Sequence, residues 1–288
     1  MTSAAESVGF IGLGNMGSAL CANLADAGLT VWCFDPAGPE RAPVSAHFVE
    51  SVDEVASHAE VVVLSLPDGS VSASVAAQIC TADGSVVTHV IDTSTIGPEA
   101  ALEVERLLGD TGIAFVDAPV SGGPAGARAR TLAVMYGGTD AACERTAVVM
   151  AGLSDQLHRV ATRPGPAQAM KLANNFLSAT ALAATSEAIA FGMASGLEMD
   201  TMLEVLNGAS GRSSASSDKF PTHVLTGRYA SGFSNSLMAK DLRLYLSSVR
   251  AIEAPEALGP TSASLWEAFS ESEPGADFTR IFPYVEGL

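Results

Sequence analysis

The 288-residue chain has three lysines, Lys171, Lys219 and Lys240, against twelve arginines, and Lys171 falls in an alanine-rich stretch with almost no charge. An arginine stays protonated under ordinary conditions, whereas a lysine that loses water has its pKa lowered toward the range useful for general acid–base work. Asn175 follows at i+4, on the same helical face, where its amide can hold a substrate hydroxyl or orient the ammonium. The competing reading of Lys171 is a solvated surface charge. Scarcity of lysine and apolar neighbours weigh against it.

A second chemistry is written near the N-terminus. Val8-Gly9-Phe10-Ile11 is an apolar strand that runs into Gly12-Leu13-Gly14-Asn15-Met16-Gly17, a G-x-G-x-x-G turn, and then into a helix that Gly28 ends. Gly12 permits the tight turn, Gly14 lets the backbone approach a pyrophosphate, and Gly17 lets helix and strand pack closely, with the helix N-terminus facing the anion. The spacing alone is weak, but here it has the strand before it, the helix after it and an acid, Asp35, ending the next strand. Asp35 is suited to accept hydrogen bonds from ribose hydroxyls and to repel a 2′-phosphate, which favours NAD over NADP. Asp35 can instead simply open the Asp35-Pro36-Ala37-Gly38 turn, and Arg41 nearby leaves NADP possible.

Further ligand positions lie at strand ends. Leu66 and Pro67 follow the third strand, and Asp92-Thr93-Ser94-Thr95-Ile96 follows the fourth, where the hydroxyls of Ser94 and Thr95 can meet ribose or nicotinamide or else cap the helix beginning at Pro98. Asp117-Ala118-Pro119-Val120-Ser121-Gly122-Gly123 opens a glycine-rich loop, read either as a nest of N–H groups for a substrate carboxylate or as a plain connection. Lys240-Asp241 can bring a positive charge to the cofactor side or sit on an ordinary surface. The five histidines pair with no nucleophile, and the four cysteines (Cys21, Cys33, Cys80, Cys143) have neither C-x-x-C nor zinc spacing, so no metal site is implied.

These residues need elements to hold them. Short β-rich runs at 8–11, 30–34, 61–66, 89–92, 114–117, 132–136 and 156–160 alternate with helical stretches, including one with capping-box spacing from Ser51 to Glu54 and one over 98–110. That alternation predicts a doubly wound parallel sheet over residues 1–163. From 164 to 288 the strand signal fades. A long helix over 168–195 and shorter ones at 200–207, 236–251 and 261–271, with a Gly/Ser-rich loop at 207–217, predict an all-α domain joined by the long helix. Fifteen uncharged residues between Lys171 and Glu187, interrupted by polar ones, fall short of the ~20 of a membrane span.

Composition narrows the function. With 48% hydrophobic and 16% charged residues the chain can bury two cores, and a net charge of −17 disfavours nucleic acid and anionic membrane surfaces as partners. A small carboxylate substrate must then be collected by locally placed donors. Dispersed cysteines, and an opening segment without a basic region or long apolar run, predict a cytoplasmic protein.

Taken in order, Gly9 to Gly17, Asp92 to Ile96, Asp117 to Gly123, Lys171 with Asn175, and Lys240-Asp241, with Asp277-Phe278 near the end, resemble the β-hydroxyacid dehydrogenase family, the group of 3-hydroxyisobutyrate dehydrogenase and tartronate semialdehyde reductase. The resemblance implies a Rossmann domain, a helical C-terminal domain, and homodimers or tetramers sharing helical surfaces. It casts Lys171 as catalytic acid/base, Ser121, Gly122, Gly123 and Asn175 as substrate contacts, and Thr95 and Lys240 as cofactor-side contacts. The expected reaction moves a hydride between NAD and a short 3-hydroxy acid in a cleft that excludes water. The chain departs from the family pattern at Gly165-Pro166-Ala167, where a second glycine is usual, and at Arg130, where glycine is common. These departures leave open a substrate contact by Arg128 or Arg130 and keep two alternatives: NADPH-dependent imine reduction, and a dinucleotide-binding protein without catalysis.

Overall fold

The computed structural model describes residues 6–288, so the reading of the opening segment falls largely outside the described residues. Within one unit, ending at Lys171, lie β1 (Ser7–Ile11), α1 (Gly17–Asp26), β2 (Thr30–Phe34), β3 (His47–Phe48), α2 (Val52–His58), β4 (Val61–Leu64), α3 (Gly69–Thr81), β5 (His89–Asp92), α4 (Pro98–Gly109), β6 (Ala114–Asp117), β7 (Val120–Ser121), α5 (Gly123–Arg128), β8 (Ala133–Gly137), α6 (Asp140–Arg145), α7 (Ala147–Leu153) and β9 (Gln156–Ala161). The strands form one sheet ordered β3-β2-β1-β4-β5-β6-β8-β7, with β9 beside β8. From β1 the chain winds outward to β2 and β3, then returns to β4 and winds the other way. The switch point between β1 and β4 is therefore where ligands collect in such sheets.

Alternation along the strands explains why both faces are covered. Val61 and Val63 of β4 pack in one core with Val8, Phe10 and Leu20, whereas Val62 and Leu64 pack in the other with Val55, Ile79 and Val104. A run of consecutive apolar residues is what a strand buried on both faces requires.

The far edge departs from the expected all-parallel sheet. β8 runs antiparallel to β6 and β7, and β9 runs parallel to β8. Between β6 and β8 the chain forms the short strand β7 and the six-residue α5, and it re-enters the sheet running the opposite way. The third predicted strand also ends two residues early, because Leu66 donates its N–H to Ser94 Oγ (2.7 Å) and leaves the ladder.

The second unit, Leu172–Leu288, is helical and takes most of α8 (Pro166–Ala194), followed by α9 (Met199–Gly208), α10 (Asn235–Ala251), α11 (Gly259–Ser272) and α12 (Ile281–Glu286). Buried Leu172, Asn175, Ala179, Leu182, Ser186 and Ile189 recur at three- and four-residue spacing on α8, giving one inward stripe. Ala179 and Leu182 meet Trp266 and Phe269, and Trp266 donates its indole N–H to the Ala179 carbonyl (3.3 Å). The predicted Gly/Ser loop is shorter than expected: residues from Ala215 form a π-helical segment (Ala215–Val224) that accommodates Pro221. Among the described residues α8 is the one helix long and apolar enough, by length and composition, to cross a membrane.

Candidate active site

The glycine turn meets three separate demands. Gly12 has φ +98°, and a Cβ there would stand 2.3 Å from the Ser65 carbonyl oxygen; at Gly17 a Cβ would stand 2.0 Å from the Gly12 oxygen. Both are contacts with backbone, so neither site tolerates a side chain without moving the turn. A Cβ at Gly14 would meet nothing within 4 Å, so this glycine leaves an open face for a ligand to approach. α1 has no acid in its first turn and no side-chain cap, which leaves its N-terminal dipole for an anion. A depression of about 430 Å³ beside the turn is lined by Gly14, Asn15, Ser18, Glu40, Arg41 and Ala42. These features fit the phosphates and ribose of a dinucleotide.

Asp35 closes its own turn and keeps acceptor capacity beyond it. Its carboxylate accepts from Leu13 N (2.6 Å), tying the glycine turn to the end of β2, and from Ala37 N (2.8 Å), closing its own turn. A carboxylate offers about four lone-pair sites, so capacity remains for a ribose hydroxyl.

Ser94 does not cap α4, whose N-cap is Gly97 without any side-chain bond; its hydroxyl accepts from Leu66 N. This bond fixes Leu66 to the Thr93–Thr95 turn, so Leu66, Pro67 and Thr95 are held on neighbouring loops at the strand ends. Ser121 ends β7, and Gly122 (φ 134°) and Gly123 (φ 67°) adopt backbone conformations that favour glycine.

Lys171 lies in the second turn of α8 and is 7% exposed. Asn175 follows one turn later, about 6 Å along the axis, and is also buried. The Asn175 amide donates to Asp241 Oδ2 (2.6 Å) and its Oδ1 accepts from Asn174 (3.1 Å). Lys240 pairs with the other oxygen of Asp241 (3.4 Å). Asp241 thus orients Asn175, a role that its place in the Lys240-Asp241 motif does not reveal.

Helix α8 begins without a cap of its own, since Gly165 precedes Pro166. Asp117, at the end of β6, supplies one from a distance: its Oδ2 accepts from Gly165 N (3.0 Å) and Gln168 N (3.3 Å). Burial pushes the Asp117 carboxyl up to about 7, with Asp92 on the adjacent strand adding to the rise, while the bonds from Gln168 and Gly165 pull the other way. Sequence reasoning passes over Gln168 and treats Asp117 as the mere start of a loop.

The Arg130 guanidinium is engaged at the end of α7. With φ 58° it occupies a left-handed position, and its guanidinium donates to the Gly152 (2.7 Å) and Ala151 (2.7 Å) carbonyls at the end of α7 and pairs with Asp155 (3.0 Å). It caps a helix C-terminus, and Arg128 is exposed on the last turn of α5. The histidines are engaged elsewhere in part: His47 and His58 stack on Trp32, with ring centroids 4.8 and 3.8 Å away. Among the described residues no group of three or more His, Cys, Asp or Glu could hold a metal ion, and the four cysteines are free thiols.

Comparison with known proteins agrees with this arrangement. Residues 7–161 match the family model for the NAD binding domain of 6-phosphogluconate dehydrogenase, and residues 165–285 match the one described as NAD-binding of NADP-dependent 3-hydroxyisobutyrate dehydrogenase. The chain is 32% identical over 269 residues to 2-(hydroxymethyl)glutarate dehydrogenase of Eubacterium barkeri, covering 90% of this chain and 88% of that protein. The structure of Mycobacterium tuberculosis 3-hydroxyisobutyrate dehydrogenase with L-serine superimposes with a TM-score of 0.89 at 32% identity, over 98% of this chain and 99% of that one. An imine reductase of Streptomyces aurantiacus gives a TM-score of 0.63 at 20% identity over 97% of this chain and 99% of that one, a likeness of fold alone. With the glycine turn built for a dinucleotide and both halves matched end to end, the chain belongs to the 3-hydroxyisobutyrate dehydrogenase family of NAD(P)-dependent oxidoreductases.

Proposed function

We propose that the protein transfers a hydride between NAD and a short 3-hydroxy acid, with Lys171 as general acid/base. The observation that carries this reading is a buried lysine on α8, with a buried Asn175 one turn away whose amide is already oriented. In the oxidative direction the Lys171 amine takes the hydroxyl proton; in reduction the ammonium returns it. Asn175 holds the same hydroxyl. The N–H groups around Ser121, Gly122 and Gly123 collect the substrate carboxylate. Nicotinamide, when bound, supplies the hydride acceptor or donor. Gly12, Leu13, Gly14, Asn15, Met16 and Gly17 hold its pyrophosphate, Asp35 the adenosine ribose, and Leu66, Pro67, Thr95 and Lys240 the remainder of the cofactor. Preference for NAD rests on the carboxylate of Asp35 at the end of β2.

We place the enzyme in the cytoplasm as a homodimer or tetramer acting on a small carboxylate. Exposed Leu177 and Phe191 on α8 and Val205 on α9 support assembly through helical faces. The test is a spectrophotometric panel of 3-hydroxyisobutyrate, 3-hydroxypropionate, glycerate and serine with NAD and NADP, beside a cyclic imine with NADPH. The reading predicts the highest kcat/KM for one of the hydroxy acids with NAD. Faster imine reduction, or NAD binding without turnover of any hydroxy acid, contradicts it.

A further inference from the structure

We propose that Gln168 is a positioning residue, fixing the turn of α8 that carries Lys171 to the loop bearing Thr95 and to the start of the loop bearing Ser121. The inference rests on the reading of Lys171 as the proton-transfer group. The Gln168 side chain is fully buried, and its carboxamide makes four hydrogen bonds. Nε2 donates to the Ser94 carbonyl (3.0 Å) and to Asp117 Oδ1 (2.6 Å). Oε1 accepts from Ile96 N (2.9 Å) and Gly97 N (3.1 Å). Two N–H groups and two lone pairs are the whole capacity of a carboxamide, so this side chain is saturated.

Saturation of this kind specifies more than burial. A methionine of similar length offers none of the four bonds, and a glutamate offers no donor while bringing a second carboxylate against Asp117. Anchoring a helix needs one bond, whereas Gln168 joins three chain segments at once. Two of them are the Ser94 to Gly97 backbone, which flanks Thr95, and Asp117, four residues before Ser121. The third is the α8 turn itself, where Lys171 stands at i+3. With the Asp117 bonds to Gly165 N and Gln168 N, these contacts fix the first turns of α8, up to Lys171, against the ends of β5 and β6. Displacement of a catalytic group by about 1 Å costs on the order of a hundredfold in rate.

The experiment compares Gln168→Met, Gln168→Glu and the polarity exchange Asp117→Asn with Gln168→Glu, in the full chain, beside Lys171→Ala. Steady-state kinetics with NAD and the best hydroxy acid of the panel is paired with hydrogen exchange of peptides spanning residues 94–97 and 165–171 in the nucleotide-free protein. The expected result for Gln168→Met is a kcat lower by about 30- to 100-fold with KM for NAD within twofold of wild type. Its exchange should be faster in those two peptides and unchanged in β1 and β2. Gln168→Glu should lose at least as much. The exchange pair, in which an amide at position 117 donates to a carboxylate at position 168, should recover about tenfold of that loss. The pair also carries the test if Gln168→Met does not fold. Wild-type kcat and exchange in Gln168→Met, or no recovery in the pair over Gln168→Glu, overturns the proposal. If Lys171→Ala is inactive in that case, the proposal falls alone; if Lys171→Ala keeps wild-type turnover, the reading beneath it falls and takes the proposal with it.

Discussion

The turn between β1 and α1 leads into the helix proposed to face a cofactor, and the turn between β9 and α8 leads into the helix that carries Lys171, yet they are held by opposite means. In the first, the constraints are steric and local: Gly12 and Gly17 are required because backbone lies 2.3 and 2.0 Å from where their Cβ atoms would be. In the second, they are polar and remote: Gly165 and Gln168 find their partners at Ser94, Ile96, Gly97 and Asp117, 48 to 74 residues away. Spacing is itself the constraint in a glycine turn, so it can be read from a sequence. A glutamine near the start of an alanine-rich helix is spelled the same way whether it is solvated or saturated in a core.

Gly17→Ala should give the largest effect outside Lys171, since backbone cannot yield as a side-chain tip can. We expect a loss of stability on the order of 3 kcal/mol and loss of nucleotide binding, read by thermal unfolding and by fluorescence titration with NAD. Gly14→Ala should separate ligand from fold. Its Cβ meets open space, so the melting temperature should stay within about 2 °C while NAD affinity falls about tenfold or more. Equal losses of stability in the two variants would erase the distinction drawn between these glycines.

In the polar turn the diagnostic is pH. The Asp117 carboxyl is raised from the usual 3.8 to about 7, so the folded protein holds its proton more tightly than the unfolded chain. Such a group contributes its stabilisation fully below about pH 4 and loses it as pH rises through about 7. Asparagine does not titrate. The melting temperature of wild type minus that of Asp117→Asn should therefore fall between about pH 4 and 8 and then level off. A difference independent of pH would contradict the shift. The smallest effect belongs to Arg130→Gly. Relief of a left-handed backbone partly offsets three lost bonds at the end of α7, leaving about 1 kcal/mol of destabilisation in denaturant unfolding and unchanged KM for the hydroxy acid.

Legibility follows the same division. The parallel strands at Thr30–Phe34, His89–Asp92 and Ala114–Asp117 are readable to the residue, because each is a short β-rich run bounded by turn and helix signals. β3, only two residues long, carries no period to read. The antiparallel direction of β8 and the π-helical segment around Pro221 have no local signature. At the site, the glycine turn and the Lys171 and Asn175 pair stand out by type and spacing. Asp241 is visible as part of a motif, but its orienting bond to Asn175 spans 66 residues. Arg130 draws attention for occupying a glycine-like position, and its bonds give a helix cap as the reason.

The proposed reaction depends on the Lys171 amine moving the substrate proton. Its most direct test is kcat for Lys171→Ala with NAD and the best hydroxy acid, measured with and without added methylamine, alongside NAD affinity by titration. Turnover should fall by about a thousandfold, with NAD affinity within twofold of wild type and partial recovery with methylamine at high pH. Turnover equal to wild type in the alanine variant would contradict it.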